Sequence, residues 1–238
     1  MTWLLPLARL SPRVTPSEFP AWEKAFPLGQ KMSWNPNTQV FSLKERVPGL
    51  HFILSGRFRC YTMTAEGKQR TIWIMHEHSL VGDVALFNDN PPIYIMESET
   101  QAATVFFSRR VFLEKILPGF PEVNLSIMRI LALKVRWQSA DAQDQNFLPS
   151  WKRVGEFLFS CARSHGNSIA VNHADIAEFL GMHRVTVSKA VARLKEMNLL
   201  HADKKGLHIT DMDRFVNEVL NQQDATRPCR EYTKNTER

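Results

Sequence analysis

Between Gln30 and about Arg110 the chain reads as a series of short apolar runs, QVFSL, LHFIL, RFRCYTMT, QRTIWIM, IYIMES and ATVFFS. They are broken by Pro48-Gly49, Ser55-Gly56, Glu66-Gly67 and the stretch from Asn88 to Pro92. Several alternate apolar with polar residues, the pattern of a strand with one face in a core and the other toward water. Short strands with turn residues at regular spacing predict an antiparallel β-roll, or jelly roll. After Arg110 the period changes. Phe112 to Leu117 reads as a short helix that Pro118 to Pro121 interrupts, and Pro121 to Asn146 as one long helix without an internal proline or glycine. Its first half is apolar on more than one side, through Val123, Leu125, Ile127, Met128, Ile130, Leu131, Leu133, Val135 and Trp137. The β-roll can cover one side of such a helix. The remainder predicts a second copy of the chain as its cover, or else a further layer within the same chain.

Pro149, in FLPSW, marks a hinge. A helix from Ser150 to about Ser164 follows, with Val154, Phe157, Leu158 and Cys161 on one face, and Ser168 to Val171 predicts a short strand. The next stretch, NHADIAEFLGMHRVTVSKAVARLKEMNLL from Asn172 to Leu200, predicts two short helices joined by a tight turn. Asn172 can cap the first by accepting from backbone N–H groups two or three residues on, and Ile176, Phe179 and Leu180 give it an apolar face. Gly181 suits the left-handed backbone that follows a helix end, and with Met182 and His183 it makes the turn of a helix-turn-helix. In the second helix, from about His183 to Met197, Val187, Val191, Leu194 and Met197 form the buried side. Arg184, Lys189, Arg193 and Lys195 lie in the same segment with no acid before Glu196. A helix divided in this way can pack on its partner with one face and enter a phosphate-lined groove with the other. HADKKGLHITDM then reads as a hairpin with its turn at Lys204 to Gly206, the wing of a winged helix.

The 238 residues suffice for two domains with separate cores. A hydrophobic fraction of 44% and a charged fraction of 23% are those of a soluble globular protein, and a net charge of +6 fits a polyanionic partner without requiring one. In the opening MTWLLPLARLSPRVTP, Pro6 and Arg9 interrupt the apolar residues before a secretory core or membrane-spanning length is reached, so the sequence predicts a cytoplasmic protein with no membrane partner. Three cysteines, Cys60, Cys161 and Cys229, lie far apart and suggest neither a disulfide framework nor a zinc site. The last 18 residues, from Asn221, hold almost nothing apolar and predict a mobile tail.

The segment from Asn172 to Leu200 resembles the DNA-binding module of the Crp/Fnr superfamily of bacterial transcription regulators. LHFILSGRFRCYTMTAEGKQRTI resembles the strand-turn-strand run of the superfamily's sensor domain. The resemblance implies an α+β chain in four parts. These are a cyclic-nucleotide-binding-like β-roll over residues 1–118, a dimerisation helix over 119–146, a winged helix-turn-helix over 147–220 and the tail over 221–238. It implies a homodimer that binds an inverted repeat in double-stranded DNA, with RNA polymerase as a further partner if the protein activates transcription. His183, Arg184, Val185, Thr186, Ser188 and Lys189 are the candidate DNA contacts. Much of the superfamily uses a recognition-helix glutamate to accept from cytosine N4; Val185 stands in its place here. Val185 and the Thr186 methyl can pack on thymine methyls instead, which predicts AT-rich half-sites.

For the sensor, the superfamily's arginine for a cyclic nucleotide phosphate follows shortly after a Gly-Glu pair. Here the pair is Gly82-Asp83, and no Lys or Arg occurs between Asn88 and Thr100. A buried phosphate with no cation keeps a desolvation cost on the order of several kcal/mol, which argues against cyclic AMP. Three distant cysteines exclude the usual four-thiolate iron–sulfur cluster. Haem, with His51, His76, His78 or Cys60 as axial ligand, is an alternative that no spacing marks. What remains is a small-molecule effector pocket between the roll and the long helix, with Trp73, Ile74, Tyr94, Leu131 and Trp137 as lining and Gly82 and Asp83 at its edge. Lys134, the cation in the middle of the greasy helix, could pair with an anionic head group, reach solvent or bridge the dimer. SLVGDVALFNDNPPIYIMESE and MHRVTVSKAVARLKEMNLL look similar to the halorespiration branch, whose members sense chlorinated phenols and use a lysine at the place of Lys134 for the phenolate. The tyrosine that assists it there falls at Leu131. The implied effector is therefore an aromatic or other small apolar anion. The rival from another class is a metal-dependent oxygenase, since His76-Glu77-His78 with Asp83 has the spacing such jelly rolls use, although their third histidine is missing.

Overall fold

The computed structural model of the chain describes residues 11–42, 49–67, 69–88, 90–204 and 206–220. The readings made for the N-terminal ten residues and for the tail from Asn221 lie outside the described residues. The chain forms two compact units, one ending at Trp137 and the next beginning at Gln138.

The first unit starts with a helix over Phe19–Ala25 (α1), then runs through β1 (Gln30–Trp34), β2 (Gln39–Phe41), β3 (Gly49–Ser55), β4 (Phe58–Met63), β5 (Gln69–Met75) and β6 (Leu80–Val81). A short helix over Asp83–Asn88 (α2) leads to β7 (Ile95–Ser98) and β8 (Ala102–Ser108). The strands form two antiparallel four-stranded sheets, in the orders β1-β8-β3-β6 and β2-β7-β4-β5. Alternation along the strands builds two cores. Ile53, Phe58, Cys60, Trp73, Met75, Val81 and Met96 fill the space between the sheets. Leu50, Phe52, Val105 and Phe107 point the other way, onto helices. Gly56, at φ 83°, makes the β3–β4 turn; a Cβ there would lie 2.5 Å from the Ala102 Cβ, so the turn needs glycine twice over.

After β8 the chain winds through Arg109–Val111 (α3), a π-helical turn over Phe112–Ile116 and Leu117–Gly119 (α4). The run ends within the stretch Pro118 to Pro121, as the sequence suggested, although Pro118 itself is accommodated in α4. The break falls at Phe120, after which Pro121–Phe147 forms one long helix, α5. Val123, Ile127 and Ile130 of α5 are buried in the helix-facing core, where α1 adds a layer that the strand pattern did not reveal. The Trp22 indole N–H donates to Ser126 Oγ at 3.2 Å, and Arg129 makes a two-pronged bond to Glu18 with both contacts at 2.7 Å. Burial alone would raise the Glu18 pKa, but the hydrogen bonds from Arg129 and Thr15 together outweigh it and hold the carboxyl below its usual range. The opposite side of α5 is bare: Leu125, Met128 and Val135 are 68, 61 and 62% exposed.

The second unit contains α6 (Ser150–His165), β9 (Ser168–Ile169), α7 (His173–Leu180), α8 (Arg184–Glu196), β10 (Leu200–Asp203), β11 (Gly206–Ile209) and α9 (Met212–Phe215), with a final π-helical turn over Val216–Leu220. Val154, Phe157, Leu158 and Cys161 of α6 pack against Ile176, Phe179, Val187, Val191 and Leu194, as their spacing predicted. No single helix among the described residues is long and apolar enough to cross a membrane. The runs Arg109–Gly119 and Pro121–Phe147 pass such a test only together, across a 113° bend.

Candidate functional site

The helix-turn-helix follows its local chemistry closely. Asn172 Oδ1 accepts from the backbone N–H of Ala174 at 2.8 Å and of Asp175 at 2.9 Å, while Asp175 accepts from the Asn172 N–H, giving a complete capping box. Gly181 takes the left-handed conformation, φ 65° and ψ 37°, that ends α7 and lets α8 cross it. Val187, Ala190, Val191 and Leu194 are buried and hold α8 to the core. Its outward face presents His183, Arg184, Val185 and Lys189, all exposed, with Thr186 and Ser188 half-buried beside them. Val185 is 65% exposed.

Three residues of this segment have surroundings that the sequence did not show. Arg193 is exposed, and its guanidinium lies 5.0 Å from the Trp151 ring of α6, a cation–π contact within the unit. His183 precedes the first turn of α8 without a side-chain cap bond. Ser188 is not an isolated hydroxyl, since its Oγ lies 2.9 Å from the Nδ1 of His173, the first residue of α7. That partner is 15 residues away in sequence and carries no local signal.

The wing is an antiparallel β10–β11 pair in which Asp203 faces Gly206, with β9 adding a third strand. Asn167 extends that third strand through its side chain, which donates to the Ile209 carbonyl at 2.8 Å and accepts from the Ile209 N–H at 2.9 Å. His201 and His208 stack across the wing with ring centroids 4.8 Å apart.

In the first unit, six of the eight predicted effector residues converge: Lys134, Gly82, Asp83, Tyr94, Trp73 and Trp137. Lys134 is turned inward from α5, with its ammonium donating to both carboxylate oxygens of Asp83, at 2.9 and 2.7 Å, and to the Leu80 carbonyl at 3.0 Å. An ammonium has three donors, and all three are used. The Asp83 residue is fully buried and Lys134 is 5% exposed, so Lys134 neither reaches solvent nor offers itself outward to a second copy. Tyr94 is buried beside this pair. Burial, with Cys60 and Asp83 adding to it, holds its hydroxyl well above the usual tyrosine range, while a backbone hydrogen bond from Gly82 acts the other way. Burial also pushes the Cys60 thiol up, out of the range where it ionises. Trp73 and Trp137 close one side, with ring centroids 5.8 Å apart. The other two predicted lining residues fall elsewhere. Leu131 packs with the helix-facing core, and Ile74 points to the face of β5 opposite Trp73 and Met75, as strand alternation requires.

The oxygenase constellation does not assemble. Asp83 is committed to Lys134, His78 stacks on Phe19 with centroids 4.5 Å apart, and no group of three or more His, Cys, Asp or Glu among the described residues is arranged to hold a metal ion. Of the candidate haem ligands, His51 is buried between Trp34 and Phe106 with Nδ1 at 3.3 Å from Thr104 Oγ1. Burial lowers its pKa to about 4.

Comparison with known proteins matches both units. Residues 31–117 match the model of the cyclic nucleotide-binding domain and residues 152–217 that of the Crp-like helix-turn-helix domain, so that together they span more than half of the chain. The CRP-like cAMP-activated global transcriptional regulator of Mycobacterium tuberculosis is similar at 24% identity over 90% of this chain and 98% of its own length. Among solved structures, the c-di-GMP responsive global regulator CLP of Xanthomonas campestris superposes with a TM-score of 0.69 at 18% identity, covering 81% of this chain and 99% of that one. OCPA-complexed CprK superposes with a TM-score of 0.66 at 16% identity, covering 89 and 99%. The last two likenesses show the fold.

Proposed function

This chain belongs to the Crp/Fnr superfamily, as a transcription regulator with a helix-turn-helix for DNA and an effector-binding domain; on that premise, we propose that it works as a homodimer on an inverted repeat, under the control of a small apolar effector that is not a cyclic nucleotide. Its relatives are named as transcription regulators and not as enzymes. The observation that carries the proposal is the division of α8, with Val187, Val191 and Leu194 buried and Arg184, Val185 and Lys189 outward. The two cations can meet phosphates or guanine edges, and Val185 suits a thymine methyl, which favours AT-rich half-sites.

The dimer is supported by the bare side of α5. Leu125, Met128, Ala132 and Val135 are all exposed and recur at alternating intervals of three and four, the repeat of a two-helix seam. A second copy of the same helix satisfies such a stripe, and a two-fold dimer places its recognition helices about one DNA turn apart. RNA polymerase is the expected further partner where the protein activates.

The effector reading centres on Lys134 and Asp83. With all three ammonium donors in use, a ligand anion must displace Asp83 to reach Lys134, and so must free α2 from α5. An aromatic or other apolar anion fits the neighbouring Trp73, Tyr94 and Trp137. A cyclic nucleotide phosphate finds no arginine between Asn88 and Thr100 and meets a lysine already neutralised. The change would pass along α5 to the Phe147–Ser150 turn and then to Trp151, whose ring packs on Arg193 of α8.

Selection from randomised duplexes, followed by fluorescence anisotropy at two salt concentrations, tests the reading. An AT-rich inverted repeat is the expected product; binding that is only salt-sensitive background, with and without a panel of phenolates and carboxylates, would remove it.

A further inference from the structure

Ser188 and His173 are joined by a 2.9 Å hydrogen bond between Oγ and Nδ1 at the edge of the outward face of α8. We propose that His173, although it lies on α7, determines which bases the recognition helix accepts, by fixing the polarity of the Ser188 hydroxyl. The inference rests on the reading of α8 as a DNA reader and names a residue on which its specificity depends.

Serine by itself is a poor discriminator. Its hydroxyl has one hydrogen and two lone pairs, and the hydrogen rotates to suit whatever it meets, so it can pair with donors or acceptors on base edges. A fixed partner removes that freedom. When Nδ1 carries no hydrogen, the Ser188 O–H donates to it, and only oxygen lone pairs remain for the groove; these match the N4 amino group of cytosine or the N6 amino group of adenine. When Nδ1 carries a hydrogen, the ring donates to Oγ, and the Ser188 hydrogen is released toward acceptors such as thymine O4 or guanine O6 and N7. In the first state the hydroxyl offers the groove acceptors only, whereas in the second it keeps its hydrogen and one lone pair, so the discrimination belongs to the first state.

The surroundings allow this role. Val185 and Lys189 flank Ser188 on the exposed face, and Arg184 stands one turn before it. Both residues of the pair are half-buried, which limits competition from water without removing them from the surface. The nearest carboxylate along α7, Asp175, accepts from the Asn172 N–H in the capping box, and Arg153 of α6 donates to the Leu180 carbonyl at the far end of α7. The capping box fixes the first turn of α7 and so the place of the histidine.

The test is site selection with the full-length protein in four forms: wild type, Ser188→Ala, His173→Ala and His173→Gln. Wild type should enrich a half-site with a defined base at one position that Ser188→Ala flattens. His173→Ala should reduce the preference at that same position by about 5-fold, the worth of one neutral hydrogen bond, and admit both donor and acceptor bases there, with the other positions unchanged. His173→Gln, whose amide can reach the same hydroxyl, should restore a single preferred base. If His173→Ala keeps the wild-type base, weakens all positions alike, or if Ser188→Ala flattens none, the inference is wrong. Should His173→Ala melt early by circular dichroism, His173→Gln carries the test alone, and loss of any single-base preference in that folded variant overturns it. A wild-type protein that enriches no sequence at all would instead sink the regulator reading itself, and this inference with it.

Discussion

Lys134 and Lys189 are both helical lysines, one in each unit, and their surroundings are opposite. Lys134 is buried, all three of its donors are taken, and Asp83 cancels its charge. Lys189 is exposed on α8, and no carboxylate among the described residues is paired with it. The first unit turns its critical charge inward and neutralises it, whereas the second leaves its charge for a partner. A buried pair adds little net stability when intact and is expensive to break from one side, while an exposed cation costs the fold almost nothing and contributes its Coulomb energy on binding. Under the proposed function, one lysine serves switching and the other recognition.

The contrast can be broken most directly by removing each charge. Lys134→Met leaves Asp83 buried without a partner and should cost about 3–5 kcal/mol in chemical denaturation, with Asp83→Asn/Lys134→Met recovering most of it. Lys189→Met should stay within about 0.5 kcal/mol of wild type. Equal losses would mean that the two lysines are not different in kind. His51 extends the comparison to pH. Its pKa is lowered by burial from 6.5 to about 4, so the unfolded chain takes up a proton that the folded chain refuses. The first unit should therefore be fully stabilised above pH 6.5 and lose up to about 3 kcal/mol as pH falls to about 4. His51→Phe should flatten that slope in a denaturation series.

Smaller effects sharpen the recognition side. Val185→Glu restores a carboxylate that can accept from cytosine N4, and should shift the selected half-site toward cytosine at one position by about 1–3 kcal/mol of discrimination. Lys189→Ala should lower the slope of log affinity against log salt by about 1, with little change in which sequence is preferred if the residue meets phosphate. At the seam, Met128→Glu or Val135→Glu should move the sedimenting mass from dimer toward monomer; a wild-type chain that sediments as a monomer would remove the two-fold geometry on which the half-site spacing depends.

What could be read from sequence follows the range of the interactions. The six strands named from sequence, the Asn172 cap, the glycine turn and the wing are written in residues a few positions apart, and the structure places them within a residue or two of where the pattern put them; β1, over Gln30–Trp34, was not among them. The two-residue strand β6 and the six-residue helix α2 are too short to carry a period, and α1 shows its purpose only through Trp22 and Glu18, which meet α5 more than a hundred positions later. The same rule governs the sites. Lys134 stood out as a cation in an apolar helix, but its partner Asp83 is 51 residues earlier, and composition cannot pair them. Arg193 is exposed like Arg184, but nothing in sequence announces its contact with Trp151. Nothing near Ser188 in sequence announces His173.

Lys134 and Val135 are consecutive residues of α5, one locked inside the first unit and the other bare on its outer side. Neighbours on a helix are set about 100° apart and cannot turn independently. Whatever draws Lys134 off Asp83 by rotating the helix must swing Val135 through the same angle. The helix is therefore an axle: in the proposed dimer, torque applied at the inner charge would reach the outer seam, and the second copy would feel it without any chain of side-chain contacts to carry it.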